Sequence, residues 1–481
     1  MLDRLFRLSE HRSNTRTELL AGVTTFLTMA YIIFLQPAVL SGAIAGTPTG
    51  MDFGAVTTAT CLAAALGCGL MAFLARYPIA QAPGMGENFF FVATVGAIAA
   101  AAQEGSIQLG TTQPWQLALG IVFVAGVLFI AVSLLGVQSK LLEAISPSMR
   151  HAIAVGIGLF IAFIGLRNAG LVVVAGGNLH LNPQFASPDL IVFFFGLLVT
   201  ASLHALRVRG SIIWGILAAT ALAVALKLGL PWLPESISGS AVIKESKLMR
   251  DFFIADRLVA PPPPLGPTLL KMDLVKTLSF SMLHFTLPFI LIFLFMDVFD
   301  TLGTLIGVSE QAGLIREGKL PRMKEALLSD AIGTTAGAAL GTSTVTSFIE
   351  SAAGVEQGAR TGLTALVVAV LFLLALAFSP VVEMIGNFPP ITAPALVVVG
   401  ALMAGNVAKI EWSNPAESMP AFLIVIGIPL TYSIADGLAL GFVSYPLVKV
   451  LAGQGRDVKW LMYVMAAVLV AYFVLVRAAA A

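Results

Sequence analysis

The sequence predicts an all-α polytopic membrane protein of fourteen spans in two inverted repeats, and three observations carry that reading. Composition comes first: 58% of the 481 residues are hydrophobic, only 11% are charged against roughly 25% in a soluble domain, and the mean hydropathy is +0.94. Apolar windows of about 20 residues, the length that crosses ~30 Å of hydrocarbon, then recur along the whole chain. Finally, two stretches, 79–104 and 342–358, break that rhythm with a Gly/Pro-rich or Gly/Ser/Thr-rich half followed by an apolar or helical half.

Uninterrupted windows fall near 18–40, 54–76, 114–136, 148–168, 188–207, 211–229, 277–308, 324–341, 361–380 and 389–408. The block 417–450 is too long for one crossing and is divided by Pro429 and the polar run TYSIADG. With the two broken stretches as spans 3 and 10, the count reaches fourteen, and 460–476 adds a C-terminal apolar helix. The charged start, MLDRLFRLSEHRSNTRTE, has no small-residue cleavage site after it, so the first span is expected to be retained. Of the 27 lysines and arginines, 18 fall on one side if the N-terminus is inside, including Lys140, Arg316 and Lys319. Most of the others lie in 230–276, where Pro261 to Pro264 favour extended geometry and mark an external spacer. The expected division is therefore a first repeat over 1–230, a spacer over 231–275, a second repeat over 276–451 and a terminal helix over 452–481.

The halves echo one another. Thr24, Thr28 and Tyr31 form a helical stripe in the first span, and Asp297, Thr301 and Thr304 repeat its spacing after the spacer. Two repeats of seven crossings are necessarily inverted, and inverted repeats with a discontinuous helix in each are the architecture of secondary transporters, whose site lies between the breaks.

The breaks also carry the chemistry. In lipid, irregular backbone survives only where protein or a water-filled cavity satisfies it. QAPGMGENFFF (81–91) and GTSTVTSFIESAAG (341–354) are thus expected to line a cavity, each a strand-like approach followed by a half-helix that starts near Glu87 or Glu350. A tight glycine contact between helices explains the glycines alone but not the carboxylates beside them. Asp297 and Asp300 share one face of an apolar span, and intramembrane acids mark substrate sites or proton relays. Acids, Asn88, and rings such as Phe89, Phe90, Phe91 and Phe348 suit a flat neutral heterocycle, with stacking worth ~1–3 kcal/mol. A phosphate or sulfate is poorly served, since no Arg or Lys lies near either break.

Several classes are disfavoured. A net charge of +1 with no basic block gives no case for nucleic acid. Cys61 and Cys68 have helix-face spacing rather than a disulfide or metal pattern, and the five histidines, His284 among them, are scattered, so neither a metal nor a cofactor is expected. An intramembrane aspartyl enzyme using Asp297 and Asp300 is a poor fit, because such acids must converge from different elements.

QAPGMGEN, FMDVFDTLGTLIGVSEQAGL and GTSTVTSFIESAAGVEQGARTGLTAL resemble the signature segments of the AzgA-like branch of the nucleobase:cation symporter-2 family, the hypoxanthine/guanine/adenine permeases. The resemblance runs over nearly the whole chain. It implies a uracil-permease-like fold with a core domain (spans 1–4, to about 136, and 8–11, to about 380) that slides as an elevator against a gate domain (spans 5–7 and 12–14). Proton-coupled purine uptake, a homodimer and a multi-pass place in the cytoplasmic membrane are implied with it. By motif, the substrate-binding positions are Asn88, Asp297 and Glu350, with Phe89, Phe348 and Ile349 beside them. Asp300, Glu87, Thr28 and Tyr31 are candidates for proton coupling or support. One departure stands out: Glu87 replaces the family's usual leucine, and the extra acid is available to bind substrate, carry the proton or form a salt bridge. An anion carrier or facilitator on the same fold is the alternative, and it requires a basic residue at the tenth-span break.

Overall fold

The computed structural model describes residues 2–43, 48–136, 145–175, 178–232, 234, 239–315, 320–431 and 434–471. The first span is a broken helix, α1 (Thr15–Met29) and α2 (Ile32–Leu40), followed by α3 (Phe53–Leu70), β1 (Gln81–Pro83), α4 (Met85–Gln103) and α5 (Pro114–Leu135). Next come α6 (Pro147–Asn168), the strands β2 (Val172–Ala175) and β3 (Asn178–Leu181), α7 (Pro188–Ala205) and α8 (Ser211–Gly229). Beyond the spacer, α9 (Phe280–Gln311), α10 (Met323–Leu340), β4 (Val345–Ser347), α11 (Ser351–Glu356) and α12 (Gly362–Ala375) with α13 (Ser379–Gly386) repeat the first four spans' order. The chain then runs through α14 (Pro389–Ala404), α15 (Pro415–Leu430), α16 (Ile434–Leu451) and α17 (Trp460–Ala471).

Among the described residues ten helical stretches are long and apolar enough to cross a membrane. The remaining crossings, α10, β4 with α11, α15 and α16, are short or polar, which makes fourteen with α17 in addition. Of the expected terminal helix, 472–476 lie outside the described residues, as do Lys140, Arg316, Lys319 and the Tyr432 and Ser433 that separate α15 from α16.

The helices pack as two bundles, each drawn from both halves. In the first, α10 lies on α3 and α5, α12 on α1 and α3, and α11 on α1; in the second, α6 lies on α14 and α15, α7 on α8 and α14, and α15 on α16. A buried ion pair, Lys449 to Glu417 at 2.8 Å, fastens α16 to α15. The spacer is anchored to both bundles. Asp189 of α7 accepts the N–H groups of Lys247 and Leu248 at 2.9 Å, whereas Thr58 of α3 donates to the Pro263 carbonyl at 2.9 Å and Leu270 N–H to the Ala339 carbonyl at 2.7 Å.

At the centre of the first bundle β1 and β4 pair antiparallel, Gln81 opposite Ser347, Ala82 opposite Thr346 and Pro83 opposite Val345. The flanking bonds are Phe348 N–H to Ala80 O at 2.9 Å and Gly84 N–H to Thr344 O at 3.1 Å. A two-stranded ribbon has two open edges, and far from water each outward group needs a partner. Side chains supply them. Gln81 N–H meets Cys68 Sγ at 3.1 Å, Ala80 N–H meets Ser351 Oγ at 3.0 Å, and Val345 N–H meets Thr334 Oγ1 at 3.0 Å. Pro83 stands on the outward side, where its missing N–H leaves nothing to satisfy. Gly67 of α3 and Gly333 of α10 permit the approach, since a Cβ on either would lie 3.1 Å from Val345 Cγ1.

Thr334→Val keeps the shape of the side chain and removes the hydroxyl that serves both the N–H and the C=O of Val345. It is expected to cost about 1–3 kcal/mol for each backbone group left unpaired, seen as a fall in thermal midpoint of the detergent-purified protein that Thr334→Ser does not reproduce.

Candidate functional site

The ribbon fixes where the acids fall. α4 begins at Met85, so Glu87 occupies its first turn, 3% exposed. A Cβ on Gly84 would collide with the Glu87 carboxylate and lie too close to the Thr346 methyl, so glycine there lets the acid fold back over the ribbon. β4 delivers Phe348, Ile349 and Glu350, with Glu350 immediately before α11. Tyr31, at the break between α1 and α2, donates its hydroxyl to Glu350 Oε1 at 2.7 Å, and Thr28 Oγ1 approaches the Glu350 carbonyl at 3.4 Å.

Asp300 of α9 lies deep in the molecule, close enough to Glu87 and Glu350 for their charges to interact, and is nevertheless exposed. A charged residue within a span that is exposed yet surrounded lines a cavity rather than facing lipid. Gly303 and Gly307 continue its stripe at i+3 and i+7 and are exposed too, Ile349 across from them is 55% exposed, and nothing comes within 4 Å of a Cβ built on Gly303. Upstream on the same stripe, Met296 and Phe293 are buried. The groove is thus closed toward the N-terminal end of α9 and open toward its C-terminal end.

Asp297, one turn back, is buried and accepts from Thr334 Oγ1 at 2.8 Å. Beside it stands Asp330 of α10, which accepts from Gln81 Nε2 at 2.9 Å and lies close enough to Asp297 for their charges to interact. Asp330 is the functional candidate that the sequence reading passed over. The rule that picks out Asp297, an acid inside an apolar window, picks out Asp330 in 324–341 equally.

The structure therefore brings together Glu87, Asp297, Asp300 and Glu350 with Tyr31 and Thr28, and adds Asp330. Asn88 is fully buried and engaged elsewhere. Ser343 Oγ donates to its Oδ1, Gln36 Nε2 donates to Ser343 Oγ at 3.1 Å and to Thr342 Oγ1 at 2.7 Å, and Met85 Sδ lies 3.8 Å from Asn88 Nδ2. Phe348 is buried, and Phe89 is buried edge-on against Phe160 of α6, ring centroids 6.3 Å apart. Ile157 of α6 faces Gly86, so the second bundle offers the site an apolar wall. The ion pairs Arg7 with Glu10 and Lys449 with Glu417 both lie away from these acids.

An acid-lined groove at two half-helix starts, set in a polytopic bundle, is what a carrier of small solutes requires. Residues 16–440 match the Xan_ur_permease model, the permease family. The chain belongs to that family. It is 41% identical to the guanine/hypoxanthine permease PbuO of Bacillus subtilis over 96% of this chain and 98% of that protein. To the adenine permease AdeP of Escherichia coli it is 36% identical over 95% of this chain and 92% of that one. Among solved structures it is similar to the transmembrane domain of a cyanobacterium bicarbonate transporter, BicA, with a TM-score of 0.61 at 14% identity, covering 88% of this chain and 96% of that one. That likeness is one of fold, and it establishes the two-repeat, uracil-permease-like architecture for this permease.

If the groove is open as described, Gly303→Cys reacts with a water-soluble maleimide in native membranes, whereas Met296→Cys, on the buried part of the stripe, does not. The background is low because Cys61 and Cys68 are both fully buried.

Proposed function

We propose that the protein imports purine nucleobases, guanine, hypoxanthine or adenine, by proton symport across the cytoplasmic membrane. The observation that carries this reading is Glu350, held by Tyr31 and near the exposed Asp300. Ring N–H groups of a purine donate to carboxylates, so the groove offers what such a base needs, and the naming of PbuO and AdeP as purine permeases points the same way. Asp297 and Glu87 lie behind that edge and Ile349 covers it. Asn88, Phe89 and Phe348 support the binding turns from the far side in this reading.

With the N-terminus inside, as the Lys and Arg distribution favours, the C-terminal end of α9 and the open end of the groove face the cytoplasm. Release to the other side then needs the first bundle to move against the second as core against gate. The apolar side chains of Ile157 and Phe160 suit such sliding, because apolar contacts are non-directional. We include a homodimer held through the gate bundle, surrounded by lipid, in the same proposal. The anion-carrier reading has the fold in its favour and lacks the basic residue it requires at the break between β4 and α11.

In proteoliposomes, uptake of labelled hypoxanthine is expected to rise with an inward proton gradient, to collapse with a protonophore and to be competed by guanine or adenine but not by sulfate or bicarbonate. Uptake indifferent to the gradient removes symport. Glu350→Gln should raise the apparent KM by about 10- to 150-fold, the loss of a charge-assisted bond worth ~1.5–3 kcal/mol, and Tyr31→Phe by about fivefold, from ~1 kcal/mol.

A further inference from the structure

The carbonyl end of Asn88 is closed by a series of hydrogen bonds that starts at a side chain of the first span. Gln36 of α2 is fully buried, five residues after Tyr31. Both hydrogens of its amide are used: Nε2 donates to Thr342 Oγ1 at 2.7 Å and to Ser343 Oγ at 3.1 Å. Ser343 gives its own hydrogen to Asn88 Oδ1. The Asn88 N–H closes the first turn of α4 on the Gly84 carbonyl at 3.0 Å, and its Nδ2 lies 3.8 Å from Met85 Sδ.

The direction of this series is fixed from one end. An amide nitrogen only donates, whereas a hydroxyl has one hydrogen to give and can also accept. With Gln36 Nε2 on Ser343 Oγ, the hydroxyl keeps its hydrogen for one acceptor, and Asn88 Oδ1 takes it. Asn88 therefore meets Ser343 with its carbonyl and sends its NH2 toward Met85. Gln36 sets the orientation of an amide on a different span, two hydrogen bonds away.

The same helix holds the second break from both sides. Tyr31 donates to Glu350 just beyond β4, and Gln36, about 7.5 Å further along at 1.5 Å per residue, donates to Thr342 and Ser343 just before it. Outside that approach, Gly341 takes a left-handed φ of +105°, and Thr268 of the spacer donates to the Leu340 carbonyl at 2.9 Å. Glu87 precedes Asn88 in the first turn of α4, and Glu350 precedes α11. One side chain of the first span thus ties the two half-helix starts together. Stability is a poor reason for a glutamine here. Its Oε1 is buried with no partner, as is Thr344 Oγ1, and an apolar side chain of similar shape would avoid that desolvation.

We propose that Gln36 is a positioning residue of the transport site: through Thr342, Ser343 and Asn88 it fixes, from the side away from the groove, the turns that present Glu350 and Glu87, without touching the substrate. Every member of the series is neutral, so its effect does not vary with pH, which separates it from the acids it positions. The substrate used to test it rests on the purine reading above.

The test is uptake of labelled hypoxanthine into proteoliposomes at mildly acidic and mildly alkaline pH. Q36M is expected to raise the apparent KM by about five- to tenfold at both, the loss of a neutral hydrogen bond, with Vmax per reconstituted protein within about twofold of wild type. S343A cuts the series in the middle and is expected to give a similar rise. Because two cuts in one series do not multiply, Q36M/S343A should lie within about twofold of the larger single effect. An unchanged KM in Q36M overturns the proposal, as does a fall in Vmax alone, which marks a general structural role, or a double variant whose effect is the product of the singles. Should Q36M fail to reconstitute, T342V and S343A remove its two acceptors one at a time, and an unchanged KM in both overturns the proposal. A wild type that takes up no purine defeats the purine reading instead, and hydrogen–deuterium exchange of the purified protein in lipid then decides the positioning. Q36M and S343A are each expected to speed exchange by about tenfold at the starts of both α4 and α11. Exchange raised between Gly341 and Ser347 alone, or nowhere, overturns it.

Discussion

Everything in this structure depends on satisfying a few strand residues far from water. A two-stranded ribbon offers half of its backbone groups to its own ladder and half to its surroundings, and lipid gives those surroundings nothing. The chain answers with side chains from three other elements, Cys68, Thr334 and Ser351, and with a proline where no donor is wanted. That requirement forces α3, α10 and α11 around the ribbon, and glycines at 67 and 333 let them close on it. The site is a consequence: once the ribbon is held, Glu87 and Glu350 leave its two ends in fixed directions.

The interleaving of the halves follows from the same constraint. One strand comes from each repeat, so neither half can complete the ribbon alone, and the first bundle must draw on both. The second bundle is built without a ribbon: α6, α7, α14 and α15 pack on one another, and Lys449 and Tyr445 of α16 meet Glu417 of α15 in a buried polar contact. The spacer crosses between the bundles, fixed to Asp189 on one side and to Thr58 and Ala339 on the other, with Asp251 to Val259 between the anchors. Such a tether links the two bundles through the chain as well as through their shared face.

Much of this was legible in the residues. Span positions follow from apolar windows, and the two breaks announce themselves because glycine, proline and hydroxyl residues at membrane depth have no bland explanation. The strand and half-helix at each break, and Glu350 at the helix start, stand where the sequence placed them, while α4 starts two residues earlier than expected, at Met85. What the sequence could not carry was pairing. That β1 meets β4, or that Asp297 of α9 takes the Thr334 hydroxyl of α10, depends on contacts between residues far apart in the chain, and helical spacing reports only neighbours on one helix. Asn88 shows the same limit, since its position in the motif says nothing about Ser343 and Gln36 closing over it. The β2 and β3 hairpin is a different case: LVVVAGGNLHL carries a Gly-Gly turn signal between apolar runs, overshadowed by the stronger helical windows on either side.

Thr334 joins the two themes. Its single hydroxyl hydrogen has two acceptors, Asp297 Oδ2 at 2.8 Å and the Val345 carbonyl at 2.9 Å, while its oxygen accepts from Val345 N–H. It can serve only one acceptor at a time, and a charged carboxylate attracts a donor about twice as strongly as a neutral carbonyl. Whichever acceptor holds the hydrogen, this one hydroxyl links Asp297 of α9 to the backbone of the strand that, five residues on, presents Glu350 to the groove, so the setting of the acid and the setting of β4 are not independent.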